Sequence, residues 1–230
     1  MRLEDLTWME VEEYLKHEDR LMLIIGACEQ HAYLSLLTDI KIPLALADSA
    51  SQQTSILIAP PLNFGISPYF LDYPGTLSLR VETMIHVVED VVRSAHHQGF
   101  RRILVINGHG GNTPVRHHLH IINNDLPDLK LDWYDWWLSN SIQAVAIKHN
   151  LKPTHANWLE AFPFTIVGEP PKELKDWPHV PRTIMDAKTT RAVYGDGSFG
   201  GQYVASDQVQ HEMFAAALED ILQLLKFGAE

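Results

Sequence analysis

The stretch "LMLIIGACEQH", Leu21 to His31, places eight uninterrupted small or apolar residues directly before Glu29, Gln30 and His31. A strand that is apolar on both faces is typical of a parallel sheet covered by helices on each side. Two further runs have the same character, "SILIAP" (Ser55–Pro60) and "RILVING" (Arg102–Gly108). Between them the apolar spacing turns helical, over about Thr38–Ser51 and over "SLRVETMIHVVEDVVRSAHHQG", which Gly99 is placed to terminate. The opening "LTWMEVEEYLKHEDR" reads as a short amphipathic helix. The pattern is therefore α-β-α-β-α-β.

Beyond the third strand a helix is predicted at about Thr113–Asn123, with Asn112 as its N-cap. A strand follows in "LKLDWYDWW", then a helix over Asn140–His149. The tail "SDQVQHEMFAAALEDILQLLKF" opens on capping residues and repeats apolar positions every three or four residues. The Pro-rich "EPPKELKDWPHVPRT" and Gly-rich "YGDGSFGG" read as loops. The fold class expected is α/β, a three-layer α/β/α sandwich with a mostly parallel central sheet, in one domain over residues 1–230.

Composition narrows the function. The chain carries 29 acidic against 18 basic residues, a net charge of −11, which opposes binding to nucleic acid phosphates. Its single cysteine, Cys28, cannot close an internal disulfide and reads as a small core residue beside the first acidic group. No apolar run approaches the roughly 20 residues that span a bilayer, and the start is acidic where a signal peptide is basic. No membrane partner is expected, and the cytoplasm is the expected compartment.

Two strands end in chemistry. "LMLIIGAC" runs into Glu29, Gln30 and His31, with Asp39 soon after, and "RILVI" runs into "NGHGGN", which carries His109 among glycines. Ligands of open parallel sheets bind beyond the carboxyl ends of the strands, so the two tips can share a pocket. Carboxylates and imidazoles without thiolates suit a borderline divalent cation, zinc, manganese or iron. Asp39 is the natural bridge between a pair of such ions.

In order and spacing, "EQH" with "TD", "PGTLSLRVET" (Pro74–Thr83), "NGHGGN" and "HANWLE" (His155–Glu160) resemble the creatininase (creatinine amidohydrolase) family. The likeness covers roughly Leu21 to Phe164. The resemblance implies a metal-dependent amidohydrolase with a three-layer α/β/α fold, a two-metal centre holding Zn and/or Mn (Fe being a further candidate), and a homo-oligomer, commonly a hexamer. Carried over by position, Glu29 and His109 bind one ion, His31 the other, and Asp39 is shared. Creatininase itself has a Glu two residues after the motif histidine, where this chain has Gly111. Most relatives place the remaining Glu in a downstream motif that corresponds here to His155 and Glu160. Glu160 is therefore assigned to the second ion and His155 to proton transfer as the catalytic residue, its rival role being to orient a ligand.

The surroundings depart from the family. Relatives usually read "EQHGPHLPLGTD", and "EQHAYLSLLTD" is one residue shorter and lacks the second histidine. Pro68 and Tyr69 stand where relatives have Glu-His before the "PGT" element, and Asn157 and Trp158 replace small residues. The expected reaction is hydrolysis of a non-peptide carbon–nitrogen bond, in a cyclic amide or formamide, by hydroxide generated at the ion pair on a small-molecule substrate. A two-metal phosphoesterase is one alternative, with Arg80 or Arg182 clamping the phosphate. The other is a non-catalytic metal-binding scaffold or sensor, with Trp158 blocking the pocket. Trp133, Trp136 and Trp137 read as core or subunit contacts, with stacking on a planar substrate as the rival role. His117, His118 and His120 read as ordinary helix positions, and His96 and His97 as residues suited to a helix's negative end.

Overall fold

A computed structural model describes residues 1–228. Its sheet has four parallel strands in the order β2-β1-β3-β4: β1 (Arg20–Ile25), β2 (Leu57–Ile58), β3 (Arg102–Asn107) and β4 (Lys130–Asp135). Register runs from Arg20 opposite Arg102 to Ile25 opposite Asn107, and Asn107 in turn pairs with Asp135. Three strands therefore end level on one rim. The chain crosses from β1 to β2 on one side and to β3 on the other, which makes the β1/β3 boundary the topological switch point.

Alternation along β1 divides the core. Met22 and Ile24 face a layer built from α2 (Thr38–Thr54), α5 (Asn140–Lys148) and α7 (Asp207–Leu224). Leu21, Leu23 and Ile25 face α3 (Val81–Gln98) and α4 (Thr113–Asp125), with residues of α1 (Trp8–Tyr14) packed at the margin. Burial of both faces is what the uniformly apolar strands require, and the α/β/α sandwich follows. Gly99 ends α3 at φ +119°, a left-handed conformation that glycine adopts without a Cβ clash. Ser206 caps α7 by accepting from Val209 N. Among the described residues no helix is long and apolar enough to cross a membrane.

Four expectations need correction. "SILIAP" yields only the two-residue β2, because its apolar residues are buried as an edge and not as a full ladder. Asn112 does not cap α4, since its backbone is already helical. Its side chain accepts from Ile66 N and donates to Gly26 O and Asn107 Oδ1, stapling three loops together. Between the two predicted loops lies a helix, α6 (Ala187–Tyr194), capped by Asp186, whose eight residues are too few for periodicity to reveal. Cys28 is half-buried, lying past the strand end with Sγ 3.4 Å from Gly75 O.

Candidate metal centre

Glycine at two strand ends lets a helix come in close. A Cβ at Gly26 or Gly108 would overlap the carbonyl of Asp39, so only glycine at both positions admits the first turn of α2 to the rim between β1 and β3. Asp39 thereby enters the gap between the chains leaving those two strands. His109 is aimed into the same gap by Asn107, whose Oδ1 accepts from His109 N and whose Nδ2 donates to His109 O and Asp135 Oδ1. Glu29 and His31 follow β1, where the Thr76 hydroxyl accepts from Gln30 N and Cys28 O accepts from Leu77 N.

The groups converge. His31 Nε2 lies 3.0 Å from Asp39 Oδ1 and 3.8 Å from Glu160 Oε2, and His109 Nδ1 lies 3.3 Å from Glu29 Oε1 and 3.1 Å from Asp39 Oδ2. His155 Nδ1 stands 3.7 Å from Glu29 Oε1. Glu29, Asp39 and His109 form one triplet of potential ligands, and His31, Asp39 and Glu160 form another that shares Asp39. A third triplet is Glu29, His31 and His155. Glu160 reaches the centre from a tight turn in which its carboxylate also accepts from Ala156 N at 2.6 Å. Position 111 cannot supply the carboxylate instead, since a Cβ there would collide with Ile66 O and the His109 ring.

The donor set fits a cation. Glu29 Oε2, His31 Nε2 and Asp39 Oδ2 are buried without a well-formed hydrogen bond, although His31 Nε2 lies 3.0 Å from Asp39 Oδ1 and His109 Nδ1 3.1 Å from Asp39 Oδ2. Buried polar groups left in this way are costly unless something positive satisfies them. The titration shifts carry the same sign. Burial alone would lower His31, but the carboxylates of Asp39 and Glu160 overrule it and hold the ring up at about 10. His109 is likewise raised well above its ordinary value, with Glu29 and Asp39 outweighing burial. Asp39 is driven far down because the two imidazoles outweigh its burial, while burial lifts Glu160 to about 7. The pocket demands positive charge.

The cleft above these groups has a volume of about 620 Å³ and is lined also by Tyr69, Phe70, Trp137, Gln143 and Phe199. Trp137 thus borders the candidate site, whereas Trp136 is core and Trp133 lies elsewhere. Trp158 is 1% exposed, donates its indole N–H to Lys152 O and packs with the α2/α7 layer, so it does not block the cleft. Neither Arg80 nor Arg182 lines it, and no Lys or Arg does. His118 pairs with Glu89 and His96 with Asp128, on the far layer. The sequence reading missed Gln30, Phe70 and Phe199. Phe199, set among four glycines, an aspartate and a serine, was the one visible signal, since a turn of that composition needs no apolar ring.

An α/β/α protein with a carboxylate–imidazole centre at the switch point of its parallel sheet belongs among those built to hold divalent cations. This chain belongs to the creatininase family: the family model described as creatinine amidohydrolase matches residues 4–225. It is 32% identical over 116 residues to creatinine amidohydrolase of Pseudomonas putida, covering 47% of this chain and 45% of that protein. It is 26% identical over 135 residues to 3-dehydro-scyllo-inosose hydrolase of Thermotoga maritima, covering 56% and 43%. It is 32% identical over 99 residues to the mycofactocin precursor peptide peptidase of Mycolicibacterium smegmatis, covering 40% of each. The chain thus spans less than half the length of each of these relatives. In fold it is similar to a mutant creatininase complexed with creatine, with TM-score 0.81 at 21% identity over 98% of this chain and 97% of that one. The manganese form of creatininase gives TM-score 0.79 at 20% identity over 98% and 97%, and a Zn–Zn form gives 0.77 at 19% over the same shares.

Proposed function

We propose that the protein is a metal-dependent amidohydrolase that cleaves a non-peptide carbon–nitrogen bond, in a cyclic amide or formamide, at a two-metal centre. Glu29, Asp39 and His109 hold one ion, and His31, Asp39 and Glu160 the other. The observation that carries this reading is the set of buried Glu29, His31 and Asp39 atoms that lack hydrogen bonds within two potential ligand triplets sharing Asp39. Divalent ions bound there supply a water acidified toward a pKa of about 7 and a Lewis acid for a carbonyl oxygen. Three carboxylates and neutral imidazoles leave two such ions with net positive charge, as the developing oxyanion requires.

His155 assists the proton transfer to the departing nitrogen. Amide nitrogen departs only when protonated, and the His155 ring faces the centre from the cleft wall, stacked on Phe70. Burial and the neighbouring His31 hold its pKa well below the ordinary value, so the ring is uncharged at neutral pH and acts on the nitrogen as a hydrogen-bond donor while the attacking water provides the proton. The relatives are named for creatinine, an inosose and a peptide, so family membership leaves the substrate open. A cleft of about 620 Å³ suits a small molecule. The creatininase structures bearing zinc and manganese support these metals as candidates. Assembly into a homo-oligomer is part of the same proposal.

The two rivals have little support. A phosphoesterase needs a cation to clamp phosphate, and no Lys or Arg lines the cleft. The scaffold reading rested on the shortened first loop and on Trp158 as a plug, and that ring is in the core. Elemental analysis of the purified protein, with a panel of lactams, formamides, guanidino compounds and short peptides, tests the proposal. Stoichiometric zinc or manganese and EDTA-sensitive turnover of a lactam or formamide is expected. Protein that holds no divalent metal, and gains neither stability nor turnover from added Zn or Mn, would overturn it.

A further inference from the structure

Three imidazoles meet at the centre, and the partners of their outer nitrogens differ in kind. His31 Nδ1 lies 3.2 Å from Glu29 O, and His109 Nε2 lies 2.9 Å from Ile66 O. A carbonyl oxygen only accepts, so each of these rings carries a proton on its outer nitrogen, which leaves the inner nitrogen to be the one that loses its proton to make room for a cation. The outer nitrogen of His155, Nε2, lies 2.8 Å from the side-chain amide nitrogen of Gln30, which only donates. We infer that Gln30 is a positioning residue that fixes His155 as the Nδ1–H tautomer, so that its inner nitrogen presents a proton to the centre and is closed to metal.

The orientation of the Gln30 amide is set by two other partners. Its oxygen accepts from Ala32 N at 3.1 Å, and its nitrogen donates to Gly197 O at 3.1 Å. Turned over, the NH₂ group would face the Ala32 N–H and the oxygen would face the Gly197 carbonyl. Both contacts would be repulsive, in a side chain whose residue is only 5% exposed. Gly197, at φ +104°, passes so close that any Cβ would overlap the amide. The His155 ring is held too, with Phe70 and Phe199 at centroid distances of 4.9 and 4.8 Å, and His155 O accepts from Phe199 N. It cannot turn to exchange its nitrogens.

The inference deepens the proposed hydrolysis and rests on it for its purpose: an N–H facing the centre donates a hydrogen bond to the departing nitrogen, whose proton comes from the attacking water, and the Glu29, His31 and His155 triplet is removed as a third ion site. Two-bond ¹H–¹⁵N spectra of the full chain labelled at histidine, metal-free and with zinc, test it at neutral pH. His155 is assigned by its loss in His155→Asn, or by through-space contacts to Phe70 and Phe199 should that variant misfold. A protonated Nδ1 with a bare Nε2 is expected in the wild type, moving toward protonated Nε2 in Gln30→Glu, whose carboxylate accepts. A bare Nδ1, or protons on both nitrogens, in the wild type overturns the assignment. His155→Asn is expected to bind as many zinc equivalents as the wild type, and loss of one equivalent also overturns it. Should the wild type bind no zinc, the hydrolase reading fails while the metal-free spectrum still decides the tautomer.

Discussion

Gly108 and Asp39 touch backbone to backbone: the α-carbon of Gly108 lies where any side chain would overlap the Asp39 carbonyl. The contact joins the rim of β3 to the first turn of α2 and sets how deeply Asp39 enters the centre. In Gly108→Ala the helix must retreat. Overpacking of this kind costs about 1–3 kcal/mol, a fall in Tm of roughly 2–12 °C for a chain of this size. The expected signature is a weakened zinc affinity beyond the stability loss, read by titration below the Tm of the variant. Unchanged affinity would show that Asp39 does not depend on this contact.

Metal removal is expected to loosen the fold. A cation that binds the native state at a hundredfold excess over its Kd adds about 2.7 kcal/mol. EDTA dialysis should therefore lower Tm by roughly 5–10 °C, and zinc or manganese should restore it. His31→Ala is expected to keep the far-ultraviolet circular dichroism of the wild type while losing metal by elemental analysis. Full metal content in that variant would exclude His31 as a ligand.

Trp158 separates a plugged pocket from an open one. Because the ring packs in the α2/α7 layer, Trp158→Ala is expected to cost about 3–5 kcal/mol by denaturant unfolding. Metal stoichiometry should be unchanged in protein that remains folded. A gain in activity without loss of stability would restore the plug and the scaffold reading with it.

Glu212 gives a pH signature away from the centre. Its carboxylate on α7 accepts from Lys148 and His149 at the end of α5, both at 2.8 Å, and these bonds hold its pKa down at about 2. A carboxylate depressed below its unfolded value contributes stability above about pH 4.5 and loses it as pH falls toward 2. The wild type should therefore lose its Tm advantage over Glu212→Gln across that window, and a constant difference down to pH 2 would refute the linkage.

Strands and long helices were legible because burial on two faces or one leaves a pattern in the side chains, as in Leu21–Ile25 and in α3 and α7. Glu29, His31 and His109 were legible because they are rare company for strand ends, whereas Glu160 was reached only through the resemblance of "HANWLE" to a family motif. The rest is written in the backbone. That Asn112 staples loops rather than capping a helix follows from where Ile66 N and Gly26 O arrive, which no local pattern records. The Gly197 carbonyl that grips Gln30 is invisible for the same reason, since a Gly-rich stretch shows only that the chain turns. Trp158 was misjudged because bulk beside a ligand is silent about the direction of the side chain.

The shared position of Asp39 in both ligand triplets has a consequence for biosynthesis. A nascent chain that has exposed only its first hundred residues already carries Glu29, His31 and Asp39, but neither His109 nor Glu160. Neither cage can close until β3 has docked beside β1 and the turn ending at Glu160 has emerged, so the order of synthesis itself defers cation capture until the sheet is built.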